Sequence, residues 1–208
     1  MSELVHYFVT DIEADGPDPA LNSMLAFATV VVREDGEMCG EFEAVIEPRP
    51  DRVSNAETMA WWATQPDAWR AATEGAEPPP VVMKRFVQWI AGFPAKRSFA
   101  ARPLAFDGNW MDAYLRAYAN THVLDVPHWG QKLFTKGALD IGTYAAGVFG
   151  HTMPDEVSFQ FPPDWLGHHP HTHRAIDDAR GYASLLSKLF AVARKLPSHP
   201  DDFLGART

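Results

Sequence analysis

The first part of the chain is dominated by apolar segments with the composition of β-strands. Leu4–Ile12, Met24–Arg33 and Met38–Ile46 are rich in β-branched and aromatic residues, and the polar turn Glu34–Glu37 separates the last two. Short connections of this kind join neighbouring antiparallel strands. The pattern therefore predicts an N-terminal antiparallel meander of three strands.

Helical spacing of apolar residues begins after this meander. Asn55–Ala72 reads as two short helices broken at Pro66, which suits the first turn of the second helix. Further along, the spacing predicts a helix over Val81–Phe93, a strand over Arg97–Leu104, and helices over Asn109–Tyr118, Ala138–Phe149 and Ala175–Leu196. We therefore expect an α/β domain in which helices flank a mixed central sheet, the meander extended by later strands. Residues 1–208 form one domain in this interpretation, with a tail over about 198–208.

Composition limits the class of protein without naming a function. The 208 residues, 46% of them hydrophobic, are enough for one domain with a full core. The single cysteine, Cys39, excludes a disulfide framework and fits a reducing compartment. The longest apolar run, Met24–Val32, is too short to span a bilayer, and Met1–Thr10 lacks the basic segment of a signal peptide. We expect a cytoplasmic protein with no membrane partner.

The net charge of −9 counts against an extended nucleic-acid-binding surface. An enzyme that binds only a few nucleotides needs few phosphate contacts. Bound cations would also cancel the negative charge of acidic metal ligands. The charge therefore disfavours tracking along a long duplex, and it leaves a small site for a polynucleotide end open.

Asp11 and Glu13 stand at the end of the first predicted strand. Side chains at i and i+2 of a strand leave the same face, so the two carboxylates are expected to point together. Adjacent carboxylates repel each other unless a cation lies between them, and Mg²⁺ and Mn²⁺ take oxygen ligands of this kind. A polar strand end explains the pair equally simply when it is read alone.

Two further positions add to this pair. Asp107 follows the predicted strand Arg97–Leu104, where, read alone, it is more simply the N-cap of the next helix. His173 stands just before the last helix, and Asp178 lies in its first turns. An imidazole with an ordinary pKa of about 6.5 can take a proton from water at neutral pH, although a lone histidine at such a place is more often structural.

The helical wheel of the last helix separates its two adjacent acids. The apolar face consists of Ile176, Ala179, Tyr182, Ala183, Leu186, Leu189 and Phe190. Asp178 lies roughly 70° from the centre of this face and Asp177 roughly 170° from it. We therefore predict that Asp178 faces the sheet and that Asp177 points into solvent.

Taken together, these residues resemble the three motifs of the DEDDh exonucleases. That family includes oligoribonuclease, ribonuclease T and the proofreading subunit of bacterial DNA polymerase III, and the resemblance runs from residue 6 to about 190. Thr58, Trp61, Trp62 and Gln65 also resemble a T-x-x-W-W-x-x-Q segment of some members, although aromatic core packing explains the two tryptophans equally well. The resemblance implies a ribonuclease-H-like fold.

The same resemblance implies a metal-dependent 3′→5′ exonuclease. Asp11, Glu13, Asp107 and Asp178 would hold two divalent cations, Mg²⁺ or Mn²⁺, with Asp11 bridging both. His173 would act as the general base toward the attacking water.

The implied substrate is single-stranded DNA or RNA with a free 3′ end, released as nucleoside 5′-monophosphates. Gly16 is expected to allow close approach of the terminal nucleotide, and Phe106 to contact it. The stretch Ala101–Phe106 departs from many relatives, because it carries no Asn or His before Asp107. The sequence leaves open the choice between DNA and RNA, and whether the chain is a monomer or a homodimer.

Two other functions remain as alternatives. A zinc hydrolase could use His168, His169, His171 and His173, because zinc favours imidazole, but adjacent histidines in a loop rarely all converge. A catalytically inactive nucleic-acid-binding module on the same fold is the non-enzyme alternative.

Overall fold

The predicted meander forms three adjacent strands of a five-stranded mixed sheet. This computed structural model describes residues 4–123, 131–151 and 161–196; the predicted tail over about 198–208 lies outside them. The strands are β1 (His6–Ala14), β2 (Met24–Arg33), β3 (Met38–Val45), β4 (Arg97–Ala101), β5 (Thr121–His122), β6 (Gln131–Lys132) and β7 (Leu139–Asp140). The order in the main sheet is β3-β2-β1-β4-β7, with β1, β2 and β3 antiparallel and β4 and β7 parallel to β1. The α/β fold class is confirmed.

Six helices are present in the described part of the chain. They are α1 (Ala56–Trp62), α2 (Pro66–Thr73), α3 (Pro79–Ala91), α4 (Leu104–Ala119), α5 (Ile141–Val148) and α6 (Ala175–Ala193). The predicted break before Pro66 is confirmed, because Pro66 opens α2. All the predicted helices form, and the differences lie at their ends.

Two of these differences matter for the site. The strand predicted to reach Leu104 ends at Ala101, and α4 begins at Leu104 where the spacing predicted a start at Asn109. Pro103 is the N-cap residue of α4, and its fixed φ suits the entry to a helix. The predicted helix over Ala138–Phe149 is also divided, since Leu139–Asp140 pairs with β4 before α5 begins.

The two faces of the sheet have separate cores. Phe8 and Ile12 of β1 pack with residues of α3 and α4 on one face. Val9 packs with residues of α6 on the other face. Because side chains alternate along a strand, Asp11 and Glu13 leave β1 on the same face as Val9. The local alternation of β1 therefore aims both carboxylates toward α6.

No helix in the described ranges combines the length and the apolar character that crossing a membrane requires.

A buried hydrogen bond ties α4 to the sheet. The backbone N–H of Met24, at the start of β2, donates to the hydroxyl oxygen of Tyr114 at 2.9 Å. Both residues are fully buried. Burial raises the pKa of Tyr114 to about 12, so its hydroxyl stays neutral. This bond fixes the helix that also carries Asp107.

Replacing Tyr114 with Phe is therefore expected to destabilise the protein. Tyr114→Phe leaves the buried N–H of Met24 without its acceptor, which typically costs about 1–3 kcal/mol of unfolding free energy. Urea denaturation measures the change. Tyr118→Phe, one turn further along α4, is the matched control, and an equal loss in both variants would contradict the role given to the Met24 bond.

Candidate active site

Three carboxylates converge between β1 and α6. One oxygen from each of Asp11, Glu13 and Asp178 lies within 4.8 Å of the others. Asp178 is 5% exposed and Glu13 9% exposed, so both groups are almost completely removed from solvent. The predicted orientation of Asp178 toward the sheet agrees with this geometry. A strand end and a helix first turn, far apart in sequence, thus form one acidic pocket.

Asp107 joins this pocket from α4. Its Oδ1 accepts a hydrogen bond from the backbone N–H of Ile12 at 3.2 Å, and its side chain is buried. Pairing of β4 with β1 ends at Val9 and Ala100, so the edge of β1 beyond Val9 is left for α4 to approach. Asp107 is therefore not the N-cap that its position suggested when read alone; it lies within the first turn of α4.

Three of these acids, Asp11, Glu13 and Asp107, have surroundings that disfavour their ionised state. Burial first, and then the negative charges of Asp107, Glu13 and Asp178, raise the pKa of Asp11 well above its usual range. Burial, followed by repulsion from Asp178 and Asp107, raises the pKa of Glu13 to about 9. Burial raises the pKa of Asp107 to about 7, although the hydrogen bond from Ile12 works in the opposite direction. A cluster with these properties is suited to a bound cation.

His173 lies beside this cluster in a constrained conformation. Its φ is +56°, in the left-handed region that residues other than glycine rarely adopt. Its ring meets Trp61 edge-on at 4.8 Å between ring centroids, and His171 at 4.5 Å. Burial and repulsion from His171 lower the pKa of His173, against the attraction of Asp178.

His171 makes the direct contact with Asp178. His171 Nδ1 and Asp178 Oδ1 are 2.6 Å apart, and this hydrogen bond raises the pKa of His171. The sequence interpretation named His171 only as a candidate zinc ligand and assigned the general base to His173, because the family motif points to the second histidine. The spacing H-x-H before the helix was the available signal for both.

Asp177 is more enclosed than predicted. The hydroxyl of Thr172 donates to Asp177 Oδ2 at 2.8 Å, and Arg180 lies 3.8 Å away, so the expectation of a solvent-directed side chain was wrong. Thr172 and Arg180 contact the Asp177 carboxylate on the side of the helix that the helical wheel assigns to solvent. Asp177 nevertheless lies outside the cluster of Asp11, Glu13 and Asp178.

The two adjacent tryptophans have different environments. Trp62 is buried, and its Nε1 donates to the backbone carbonyl of Ala14 at 3.0 Å, which fixes the chain directly after Glu13. Trp61 is 38% exposed and packs against His173. Simple core packing therefore accounts for Trp62 and not for Trp61.

The two residues predicted to contact substrate, Phe106 and Gly16, differ in solvent exposure. Phe106, next to Asp107, is partly exposed and meets Trp110 edge-on. Gly16 is buried, and a Cβ there would clash with the side chain of Asn22. Packing of its own loop thus already explains a glycine at this position, and contact of Gly16 with a nucleotide stays a prediction.

A cavity of about 390 Å³ beside Asp178 was not anticipated. Arg102 and Tyr182 line it, and the Arg102 guanidinium lies 5.0 Å from the ring centre of Phe161 and 5.7 Å from that of Tyr182. Tyr182 follows Asp178 by one helical turn, so the i, i+4 spacing could have placed both on one face. The position of Arg102 depends on where β4 ends, which the apolar pattern misplaced.

A family model described as the 3′-5′ exoribonuclease Rv2179c-like domain matches residues 6–190. The chain belongs to this family. Its membership confirms the DEDDh-type 3′-5′ exonuclease identity that the motifs of the sequence predicted. A comparison with curated proteins finds no match for the sequence.

Solved structures of exonucleases share the fold of this Rv2179c-like domain. Escherichia coli exonuclease I in complex with a dT13 oligonucleotide is 14% identical, with a TM-score of 0.62, over 96% of this chain and 43% of that chain. The zinc-bound exonuclease I complex with single-stranded DNA is 16% identical, with a TM-score of 0.61, over 93% of this chain and 41% of that one. A 3′-exonuclease that recognises a histone mRNA stem-loop is 14% identical, with a TM-score of 0.60, over 92% and 84% of the two chains. The domain thus spans less than half of exonuclease I, and these similarities confirm the ribonuclease-H-like fold.

The adjacent acids of α6 give a direct test of this geometry. Asp178→Asn removes a charge from the buried cluster and is expected to reduce nuclease turnover by orders of magnitude. Asp177→Asn removes a charge that contacts Thr172 and Arg180 and lies outside the carboxylate cluster, so a change of a few-fold is expected. Both variants are assayed during Mg²⁺ titration. The reverse pattern would show that Asp177 is the ligand.

Proposed function

We propose that this protein removes nucleoside 5′-monophosphates from the 3′ end of single-stranded nucleic acid. The observation that carries the proposal is the convergence of Asp11, Glu13 and Asp178 within 4.8 Å in a buried pocket. The description of the family as exoribonucleases makes RNA the first substrate class to test. The relatives bound to single-stranded DNA keep DNA as the second.

The donor set fits two hard divalent cations. Asp11, Glu13, Asp107 and Asp178 offer only carboxylate oxygens, which Mg²⁺ and Mn²⁺ prefer. Asp11, Glu13 and Asp178, whose oxygens lie within 4.8 Å of one another, would hold the ions, and Asp107 would complete the pocket. When bound, such ions offset the charge of the scissile phosphate and of the attacking and leaving oxygens.

The protein's own residues supply the proton transfer and the positioning. His173 takes a proton from the attacking water at an imidazole nitrogen, and its lowered pKa keeps it neutral at neutral pH. The edge-on contact with Trp61 orients the ring of His173. Phe106 offers a partly exposed aromatic ring beside the acidic pocket, suited to stacking on a terminal base. The water oxygen bonds to phosphorus as the bond from phosphorus to the 3′ oxygen of the preceding nucleotide breaks, and that oxygen takes up a proton to become the new 3′ hydroxyl.

The alternatives are weaker on specific grounds. Within the described ranges, the metal-ligating clusters include His171 and His173 but neither His168 nor His169, so a four-histidine zinc centre does not form there. An inactive binding module would have no need for carboxylates gathered in one pocket despite their mutual repulsion. Hydrolysis of a labelled oligonucleotide separates an enzyme from such a module.

The primary test combines metal removal with substrate topology. A 5′-labelled single-stranded RNA with a free 3′ hydroxyl should shorten stepwise with Mg²⁺ or Mn²⁺, and excess EDTA should stop the reaction. Asp11→Asn should lower the rate by orders of magnitude, with circular dichroism showing a retained fold. A circular RNA of the same sequence is the control. Cleavage of the circle at an equal rate, or full activity in EDTA, would refute the proposal.

The pH dependence should identify the general base. Burial and repulsion by His171 lower the pKa of His173, so neutral imidazole accumulates from a lower pH than in a free histidine. The single-turnover rate should therefore rise with pH around a midpoint below about 6.5. His173→Ala should flatten this rise, whereas His171→Ala should keep it. A flat profile only in His171→Ala would assign the base to the other histidine.

A further inference from the structure

Asp178 belongs to two clusters of different ligand chemistry. With Asp11 and Glu13 it forms an all-oxygen group, and with His171 and His173 it forms a group of two imidazoles and one carboxylate. In the second group as well, one ligand atom from each residue lies within 4.8 Å of the others. The first group suits Mg²⁺ or Mn²⁺, whereas two imidazoles and a carboxylate are ligands typical of Zn²⁺.

The loop that carries the two histidines is fastened to the helix that carries Asp178. Thr172, between them, donates to Asp177 at 2.8 Å, and His171 contacts Asp178 at 2.6 Å. Trp61 also packs edge-on against the ring of His173. Both imidazoles are thus kept near one carboxylate before any metal arrives, which reduces the ordering that binding requires.

We propose that His171, His173 and Asp178 form a Zn²⁺ site that inhibits the enzyme. The side chain of His171 is 60% exposed, so an ion from solvent reaches this cluster directly. Zn²⁺ bound there replaces the hydrogen bond between His171 and Asp178. Zinc binds imidazole well, whereas Mg²⁺ prefers oxygen ligands, so micromolar zinc can compete at this site while Mg²⁺ is abundant.

Inhibition follows because two zinc ligands, His173 and Asp178, also belong to the proposed catalytic site. A zinc ion on His173 occupies the nitrogen that would take the proton from water, and it draws Asp178 away from the oxygen cluster. This consequence rests on the proposed function, whereas zinc binding itself does not. The site differs from the four-histidine centre considered from the sequence, because it uses a carboxylate of α6 and excludes His168 and His169.

Direct binding is measured first, on the full chain stripped of metal. Zn²⁺ is titrated by competition with a chromophoric zinc indicator in excess Mg²⁺, and zinc absorption-edge spectroscopy reports imidazole ligands. The Asp11→Asn variant is included because Asp11 belongs only to the oxygen cluster. We expect one zinc with imidazole ligands in both the wild type and Asp11→Asn, and an affinity at least about 10-fold lower in His171→Ala.

The matched control removes an imidazole from the same loop outside the cluster. His168 has φ +58° and is exposed, and asparagine tolerates that conformation, so His168→Asn should keep the zinc affinity. His173→Asn, for the same conformational reason, is the second variant expected to lose it. Equal affinity in His168→Asn and His171→Ala, oxygen-only ligands, or loss of zinc in Asp11→Asn would each overturn the proposal.

An activity assay distinguishes failure of the zinc proposal from failure of the proposed function. In excess Mg²⁺, micromolar Zn²⁺ should inhibit RNA hydrolysis by the wild type, and the inhibitory concentration should rise at least about 10-fold in His171→Ala, each relative to its own zinc-free rate. If the wild type hydrolyses no nucleic acid, the proposed function fails while the binding measurements still decide the zinc site. Zinc bound through the two histidines without inhibition would overturn the inhibitory role.

Discussion

The crowding of buried carboxylates is the constraint around which this domain is arranged. Burial and mutual repulsion raise the pKa values of Asp11 and Glu13, the latter to about 9. A carboxyl with a raised folded-state pKa binds more protons when folded than when unfolded. In the metal-free protein, the contribution of Glu13 to the unfolding free energy therefore falls as pH rises from its ordinary pKa of about 4.3 toward about 9. A cation that binds only the folded cluster offsets this cost by mass action.

Hydrogen bonds from neighbouring elements keep the acids together despite this repulsion. The backbone N–H of Ile12 binds Asp107, Trp62 binds the carbonyl of Ala14, and Tyr114 fixes α4 on the start of β2. The early end of β4 leaves the β1 edge open, which lets Asp107 reach Ile12. Each of these contacts holds the end of β1, or the helix facing it, through a backbone N–H or C=O group. The positions of the acids therefore depend on hydrogen bonds to the backbone more than on ion pairs with basic side chains.

Local periodicity explains what could be predicted from the sequence. The alternation of β1 places Asp11 and Glu13 on one face, and the wheel of α6 turns Asp178 toward the sheet. Features set by tertiary contacts could not be predicted in this way. Asp107 lies inside α4 because the chain leaves β4 early, and Asp177 is covered by Thr172, which its own helix does not determine.

The two short strands β6 and β7 illustrate the same limit. Each pairs over only two residues, and such a segment has no period to detect. Leu139–Asp140 is a strand because β4 offers it a parallel edge, and Asp140 then caps α5 by accepting from the backbone N–H of Thr143. One residue thus ends a strand and begins a helix, and an apolar pattern assigns both to the helix.

The adjacent tryptophans link the two sides of the site. Trp62 fixes the carbonyl of Ala14, directly after Glu13, whereas Trp61 contacts the ring of His173. Two adjacent residues of α1 therefore contact both the strand that carries two acids and the loop that carries the histidine. His173 keeps a left-handed backbone that is unfavourable for a non-glycine residue, so surrounding contacts such as that of Trp61 must stabilise it. The loop that brings His171 and His173 to one carboxylate packs against this same partly exposed ring, so both the proposed proton transfer and the proposed zinc binding would depend on Trp61.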